Sequence, residues 1–280
     1  MSVDPVVGPS GDADTAEGWR QAVLRSIGAM RENLGEEHSL RTMARSAWLS
    51  PFHFHRVFHK VTDSTPARFL AAWRMAEAKR LLASGEASVN DICLQIGYSS
   101  LGTFTSQFNR MVGVPPARFR RLVQAFAGRP YNDVLWRLRE ACPPPRRPQL
   151  VVSVSGGPGG EVPAAIGLFA SGIPQQRPAG CAIVAVPGTA TVGDLPDGEY
   201  HPLAVCFDAS VGVPEALADS DLDRCYVAAA DHTVSIVDGV SASRTPVRLR
   251  LRVRQPTDPP VVLALPLLAA AEAAVSRRAG

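Results

Sequence analysis

Residues 50–62 read Ser50-Pro51-Phe52-His53-Phe54-His55-Arg56-Val57-Phe58-His59-Lys60-Val61-Thr62. A serine that can cap a helix precedes a proline suited to the first helical position, so a helix is predicted to begin at Pro51. Apolar residues recur at i, i+3, i+4 and i+7 and form one face, which consists of Phe54, Val57, Phe58 and Val61. The opposite face has basic, hydrogen-bonding and aromatic groups and no acid: Phe52, His53, His55, Arg56, His59 and Lys60.

That second face suits the major groove of DNA, which admits one helix and presents hydrogen-bond acceptors to Arg and Lys. An ordinary amphipathic helix with a solvated basic face would show the same pattern. Residues 50–62 alone do not separate these two interpretations, so the rest of the chain has to decide between them.

An internal repeat favours the DNA-binding interpretation. Residues 39–50 align with residues 88–99 at a shift of 49. After one inserted residue the similarity continues at a shift of 50, through two identical segments, Pro66-Ala67-Arg68-Phe69 and Pro116-Ala117-Arg118-Phe119. Each copy is predicted to form a capped short helix, a tight turn and a second helix, followed by a helix that starts with proline. The sequence therefore predicts two helix-turn-helix units, at residues 39–62 and 88–112.

A helix from Pro66 to about Ala83 is predicted to join the two units. A rigid bridge would hold two recognition helices at a fixed separation, and one turn of B-DNA repeats about every 34 Å. The pair could then enter two successive major-groove segments on one face of the duplex.

Charge is unevenly distributed along the 280 residues, whose formal net charge is +3. Residues 17–124 carry 15 Lys and Arg against 8 Asp and Glu, whereas residues 149–280 carry 9 against 13. Such a basic half is expected where a protein meets a polyanion. Five widely spaced cysteines without a CxxC pair, no signal-peptide pattern and no membrane-spanning run favour a cytoplasmic protein with reduced thiols.

Composition and periodicity divide the chain into four regions. They are a disordered, Gly/Pro-rich N-terminus at 1–15, a helical DNA-binding domain at 16–124, a linker at 125–148 and a β-rich effector or dimerisation domain at 149–280. The first helix is predicted to start near Thr15 or Ala16. The linker ends in a stiff Pro-rich segment, and one more helix is predicted within it, at Tyr131 to Ala141.

Short β-branched runs separated by Gly, Pro and Asp replace helical periodicity after Pro148. The predicted strands are 150–154, 181–186, 199–207, 225–229, 233–237 and 247–253. Strands at this spacing predict a mainly-β, sandwich-like domain, with a small barrel as the alternative. Residues 263–278 are expected to form a helix or an irregular cap.

Eight motifs of the helical half occur at a specific spacing. They are Leu40-x-x-Met43-Ala44, Leu49-Ser50-x-x-x-Phe54-x-Arg56-x-Phe58, Pro66-x-x-Phe69, Arg74-x-x-x-Ala78-x-x-Leu81-Leu82, Val89-x-x-Ile92, Ile96-Gly97-Tyr98, Phe104-x-x-x-Phe108-x-x-x-Val112-Gly113-Val114-Pro115-Pro116 and Phe119-Arg120. With them, residues 17–122 resemble the DNA-binding domain of the AraC/XylS family of bacterial transcription regulators. The resemblance implies seven helices, with the helices from Pro51 and from Ser100 in adjacent major grooves. Most relatives place a sensor domain first, whereas here the DNA-binding domain comes first.

The resemblance also implies which side chains contact DNA. Base contacts are expected from Phe52, His53, His55 and Arg56 in the first helix and from Ser100, Gly102, Thr103, Ser106 and Gln107 in the second. Phosphate contacts are expected from Lys60, Thr62, Arg110 and Arg118, with Arg120 and Arg121 also available. Arg56 is expected to contact a guanine, and Phe52 a thymine methyl. Because Ser106 stands where relatives often present Arg, the first helix is expected to carry most of the base specificity.

The two copies differ at two turn positions. Trp48 and Asp63 stand in the first copy where Gly97 and Gly113 stand in the second. A turn residue with φ > 0 is therefore a firmer expectation in the second copy than in the first.

The C-terminal half has two alternative resemblances. Leu195-Pro196-Asp197-Gly198-Glu199-Tyr200 is similar to the Pro-x-Gly-x-Tyr turn of transthyretin-like or carboxypeptidase regulatory-like β-sandwiches. The second alternative is a resemblance to the GyrI-like sensor domain, which follows this DNA-binding domain in some relatives.

The sequence as a whole predicts a transcription regulator, an activator located in the cytoplasm at the nucleoid, with no catalytic residue, cofactor or metal. The three histidines of the first recognition helix are not expected to bind a metal, because no acid or cysteine joins them. Expected partners are double-stranded DNA, RNA polymerase, a small-molecule effector and a second copy of the chain, but no membrane. The alternative is a DNA repair or modifying enzyme that uses the same domain for targeting, with Cys142 near Arg146 and Arg147 as its only hint.

Overall fold

A computed structural model describes residues 10–141, 143–218, 223–242 and 245–263, with side chains from residue 15 onward. No helix within these ranges has the length and apolar character needed to cross a membrane. The prediction for residues 263–278 lies outside the described residues, apart from Leu263.

Seven helices build the first part of the chain, as predicted. They are α1 (Ser10–Glu32), α2 (Leu40–Ser46), α3 (Pro51–Thr62), α4 (Pro66–Ser84), α5 (Val89–Gln95), α6 (Leu101–Val112) and α7 (Pro116–Ala125). The side chains of Ser39, Ser50, Ser88 and Ser100 accept hydrogen bonds from the backbone N–H three residues later and so cap α2, α3, α5 and α6. Two helix-turn-helix units, α2–α3 and α5–α6, are thus joined by α4.

Helix α1 begins earlier than predicted. It starts at Ser10, so the expectation of disorder is wrong for residues 10–15, and residues 1–9 lie outside the described part. Asp12 and Asp14 follow Ser10 in the sequence, and acidic residues near a helix N-terminus are favoured by the helix dipole. Composition alone suggested disorder because it ignores where along a helix each charge falls.

The two units bury the same kind of aromatic core. In the first unit Phe58 packs edge-on against Phe54 and Phe69, with ring centroids 5.4 and 5.3 Å apart. In the second unit the equivalent Phe108 lies 5.7 Å from Phe104 and 5.8 Å from Phe119. The apolar faces predicted from helical spacing are therefore the faces that form the core.

The remaining chain forms helix α8 and one large sheet. The elements are α8 (Tyr131–Ala141), β1 (Pro148–Gly156), β2 (Val162–Phe169), β3 (Gly180–Val186), β4 (Gly188–Gly193), β5 (Gly198–Phe207), α9 (Val213–Ala218), β6 (Cys225–Ala229), β7 (Val234–Val237), β8 (Val240–Ser241) and β9 (Val247–Val253). Strands pair in the order β3-β2-β5-β6-β9-β1-β4, with β7 and β8 beside β5. The β1–β9 pair is parallel, and the other pairs are antiparallel.

This sheet is nearly closed. Its two end strands, β3 and β4, follow each other in the chain with Pro187 between them, and the interior is a single apolar core that includes Val152, Ile166 and Leu249. The mainly-β prediction is confirmed, and of the two expected architectures the sheet corresponds to the small barrel rather than to two packed sheets. Strands β2, β4 and β8 were not predicted. In β2, Pro163, Gly167 and two alanines hide the β-branched signal of a doubly buried strand.

The segment predicted as a linker is largely part of the packed structure. Helix α8 forms as predicted, but Tyr131 packs edge-on against Phe207 of β5 at 5.0 Å, and Asn132 Nδ2 donates to the Phe207 carbonyl at 3.2 Å. One hydrophobic core accordingly runs from α4–α8 into Phe207, Leu217 and Val262. The apolar stripe of α8 needs a partner, and the sheet supplies it.

Candidate nucleic-acid interface

Helix α3 presents its polar face to solvent. Phe52 is 83% exposed, and His55, Arg56, His59 and Lys60 are exposed as well. Together with Leu40 and Pro51, these five side chains line a shallow depression on the surface. Ser50 fixes the start of the helix by accepting a hydrogen bond from His53 N at 3.4 Å. The structure therefore brings most of the first predicted set onto one open surface.

Two residues of the predicted α3 set are placed differently. Thr62 is 5% exposed, and its hydroxyl donates to the carbonyls of Phe58 at 2.8 Å and Ser64 at 3.2 Å. The predicted phosphate contact of Thr62 is therefore wrong, because its side chain caps its own helix. His53 is half-buried, and its Nε2 is enclosed without a hydrogen-bond partner. It therefore faces the protein more than the exposed residues of α3 do.

Helix α6 exposes smaller and less charged groups. Ser100 caps the helix by accepting from Thr103 N at 3.4 Å, and Gly102, Thr103 and Ser106 are exposed. Gln107 is half-buried, with its Nε2 3.6 Å from Met111 Sδ. The one cation on this helix, Arg110, lies exposed in its last turn. The second helix can therefore offer few side chains that distinguish one base from another.

The arginines after α6 divide into two kinds. Arg118 is exposed in the first turn of α7, and Arg121 is exposed in the middle of the helix. Arg120 is half-buried and donates through Nη2 to the Ala87 carbonyl at 2.5 Å. Its expected availability for phosphates is wrong, since it ties α7 to the loop before α5.

Both units have left-handed turn residues, whichever residue type is present. Trp48 and Asp63 have φ of 59° and 51°, and the equivalent Gly97 and Gly113 have 82° and 96°. Trp48 is 79% exposed, and the Arg25 guanidinium lies 4.2 Å from its ring centroid. The alignment of Trp48 with Gly97 indicated this turn position, but not that the ring would be exposed beside α3.

Three comparisons with known proteins cover this part of the chain. Residues 43–122 match the family model of a helix-turn-helix domain. The chain is similar to the uncharacterized HTH-type transcriptional regulator YbfP of Bacillus subtilis, with 28% identity over 111 residues, 40% of this chain and 38% of YbfP. It is also similar to the bifunctional transcriptional activator/DNA repair enzyme AdaA of Bacillus subtilis, with 30% identity over 91 residues, 32% of this chain and 43% of AdaA.

Among solved structures, the chain is similar to the DNA-binding domain of AdpA, the global transcriptional factor, in complex with a target DNA. The two are 28% identical, the match covers 38% of this chain and 96% of the AdpA chain, and the TM-score is 0.36. The matched part of the chain spans less than half the length of YbfP and of AdaA. The paired units and the family match together define a helix-turn-helix DNA-binding domain. Within that class, residues 43–122 form a domain of the AraC/XylS type.

Proposed function

We propose that this protein is a sequence-specific transcription regulator that acts in the cytoplasm at the nucleoid. Helices α3 and α6 enter two successive major-groove segments, and the C-terminal half senses a ligand or contacts RNA polymerase or a second copy of the chain. The observation that carries this proposal is the exposed, acid-free face of α3, where Phe52, His55 and Arg56 project together from a rigidly capped helix.

Side-chain chemistry supports a division of labour between the two helices. Arg56 has the fork of donors that matches guanine O6 and N7, and Phe52 offers an apolar surface to a thymine methyl. Lys60, Arg110, Arg118 and Arg121 are exposed cations suited to phosphates, which set affinity and its salt dependence. We therefore assign base discrimination mainly to α3 and positioning mainly to α6 and α7.

An in vitro selection from random duplexes, followed by footprinting, tests this proposal. The expected result is protection of about 20 bp on one face of the duplex. Arg56→Ala is expected to weaken binding of the selected site by about 5- to 150-fold and to relax preference at one base pair, since a bidentate contact contributes about 1–3 kcal/mol. Arg248→Ala, the same charge change at an exposed position on β9, is the control. Unchanged preference in Arg56→Ala would remove α3 from base recognition.

A DNA repair or modifying enzyme is the second candidate, and the similarity to AdaA supports it. The described cysteines argue against it. Cys93, Cys206 and Cys225 are buried, and burial raises the pKa of Cys206 to about 12, which disfavours the reactive thiolate. Cys181 is exposed, and Cys142 lies outside the described residues. Mass spectrometry after incubation with alkylated DNA distinguishes the two candidate functions. An alkyl group transferred to any cysteine would favour the DNA repair enzyme.

A further inference from the structure

An apolar cavity of about 190 Å³ lies against the sheet face that points away from the barrel interior. Its floor is made by residues of β2, β3, β5 and β6, among them Ala165, Cys181 and Leu203. Helix α8 covers one side through Tyr131 and Leu138, and the segment 259–263 forms another wall. We refer to this space as the apolar cavity.

Small side chains leave this space open. Ala165 and Gly167 on β2 and Ala229 on β6 project little bulk into this space. Larger apolar groups such as Leu203 and Val227 line it beside them. Gly167 also cannot take a larger residue in place, since a Cβ there would lie 2.5 Å from the Phe169 ring. Most protein interiors close-pack such a surface, so an opening of this size is a feature that a ligand can use.

The lining is apolar and carries no unbalanced charge among the described residues. Its two charged side chains, Arg252 and Asp258, form a two-pronged pair with N–O distances of 2.6 and 2.8 Å. Those hydrogen bonds raise the pKa of Arg252, and Asp258 also accepts from Gln255 N at 2.7 Å. An ionic ligand would have to break this pair, whereas a neutral one would not.

One wall of the cavity is attached to the helix that bridges the two DNA-binding units. Val261 and Leu263 line the cavity, and the Val261 carbonyl accepts a hydrogen bond from Lys79 Nζ at 2.6 Å. Lys79 lies on α4 and is 1% exposed. The amides of Val262 and Leu263 both donate to the Pro174 carbonyl at 3.3 Å, which holds the same segment to the sheet side.

We propose that the apolar cavity binds a neutral aromatic molecule of one or two rings, and that its occupancy is linked to DNA affinity through the segment 259–263 and Lys79 on α4. A cavity of about 150 Å³ lined by Leu, Ile and Phe in another protein accommodates benzene, so the size supports this ligand class. The linkage rests on the proposed DNA-binding function, whereas the binding site itself does not. Linkage requires that ligand and DNA change each other's affinity by the same factor.

The binding site is tested on the full chain with 1-aminonaphthalene, a two-ring fluorophore that is neutral at pH 7. Saturable enhancement of its fluorescence is expected, together with slower alkylation of Cys181 by iodoacetamide in a Cys142→Ser background. Ala165→Phe fills the floor and is expected to weaken binding at least tenfold, while Ala242→Phe, at an exposed position outside the cavity, leaves it unchanged. Ala229→Phe, at an exposed strand end, repeats the test if Ala165→Phe does not fold. Full binding by a folded, filled variant would overturn the proposal.

The linkage is tested by titrating the selected duplex with and without the fluorophore. A change in DNA affinity of about fivefold or more is expected, and Lys79→Met is expected to keep fluorophore binding and lose the change. Fluorophore binding without any DNA binding would reject the proposed function and leave the cavity assignment standing. DNA binding without fluorophore binding would reject the cavity assignment, and binding of both without mutual effect would reject the linkage.

Discussion

The two helix-turn-helix units have the same backbone built from different residues. Their aromatic triads match in arrangement, with centroid distances of 5.4 and 5.3 Å around Phe58 and of 5.7 and 5.8 Å around Phe108. Their serine caps match as well. Yet their outward faces differ: α3 carries an aromatic and basic set, and α6 carries mostly small, neutral groups. Core and caps thus set the fold, while the exposed face is free to differ.

The turn positions show what the shared backbone requires. Gly97 has φ of 82°, and a Cβ there would lie 2.7 Å from Arg74 Nη2 and 2.9 Å from two backbone oxygens. Trp48 adopts a left-handed conformation with φ of 59° although its residue type disfavours it. Its ring is exposed and stacked by Arg25. The second unit therefore needs glycine for space and conformation, whereas the first unit tolerates strain at an open position.

The largest expected effect comes from removing the central ring of each triad. Phe58→Ala and Phe108→Ala should each lower the free energy of unfolding by about 3–5 kcal/mol, because both rings are fully buried. Urea denaturation measures this, with Phe52→Ala as the exposed control.

Hydrogen exchange should then separate the units: Phe108→Ala should increase exchange in α8 and β5, whose side chains share its core, and Phe58→Ala should not. If Phe58→Ala increased hydrogen exchange in α8 and β5 as much as Phe108→Ala does, the two units would not have separate cores.

A smaller effect is expected at the glycine turn of the second unit. Gly97→Ala should destabilise by about 1–2 kcal/mol through its left-handed φ alone, and further through contact with Arg74. Gly85→Ala is the matched control, since Gly85 has φ of 77° and a Cβ added there would have no neighbouring atom within 4 Å. Thermal or urea unfolding should rank Gly97→Ala as the less stable variant. Equal stability of the two would show that the close approach to Arg74 relaxes freely.

Thr62→Val converts a first-unit residue into its second-unit counterpart, Val112. The change removes the hydroxyl that donates to the carbonyls of Phe58 and Ser64, so a loss of about 1 kcal/mol in unfolding free energy is expected. DNA affinity should remain within about twofold because the side chain is buried. Lys60→Ala is the contrasting variant, with weaker binding and a salt slope reduced by about 1. A similar slope change in Thr62→Val would restore its phosphate role.

The smallest expected effect compares two substitutions of Trp48. Both Trp48→Gly and Trp48→Ala remove the ring and its contact with Arg25, but only glycine adopts φ near 59° without strain. The glycine variant should therefore be the more stable of the two by about 0.5–1 kcal/mol. Paired denaturation curves measure this difference. An alanine variant of equal or higher stability would mean that the turn changes conformation when the ring is removed.

Local signals made most of the helical domain predictable from sequence. Serine caps, prolines at first helical positions and apolar spacing depend on neighbours within one or two turns, and they located α2 to α7. The repeat then paired the units without any structure, and the same spacing placed Arg56 and His55 on the exposed face of α3. The roles of these residues at DNA bases stay predictions until the selection experiment is done.

Features that depend on distant contacts were not predictable in this way. Arg120 looks like a surface polar group in sequence, but its guanidinium is occupied by the Ala87 carbonyl, 33 residues earlier in the chain. The hydroxyl of Thr62, by contrast, is occupied locally, by the Phe58 and Ser64 carbonyls. Strand β2 and the core position of α8 also follow from neighbours far along the chain. Sequence patterns carry no information on which distant group will satisfy a donor.

The sequence by itself therefore determined a duplicated helix-turn-helix domain, its caps and the chemical contrast between α3 and α6, because these are encoded within short, self-contained segments. Only the tertiary structure decided that the two halves share a core, that the sheet is nearly closed, and that small residues on β2 and β6 leave an apolar cavity attached to α4 through Lys79. These outcomes depend on how separate segments fill space together, and packing is a property of the whole fold.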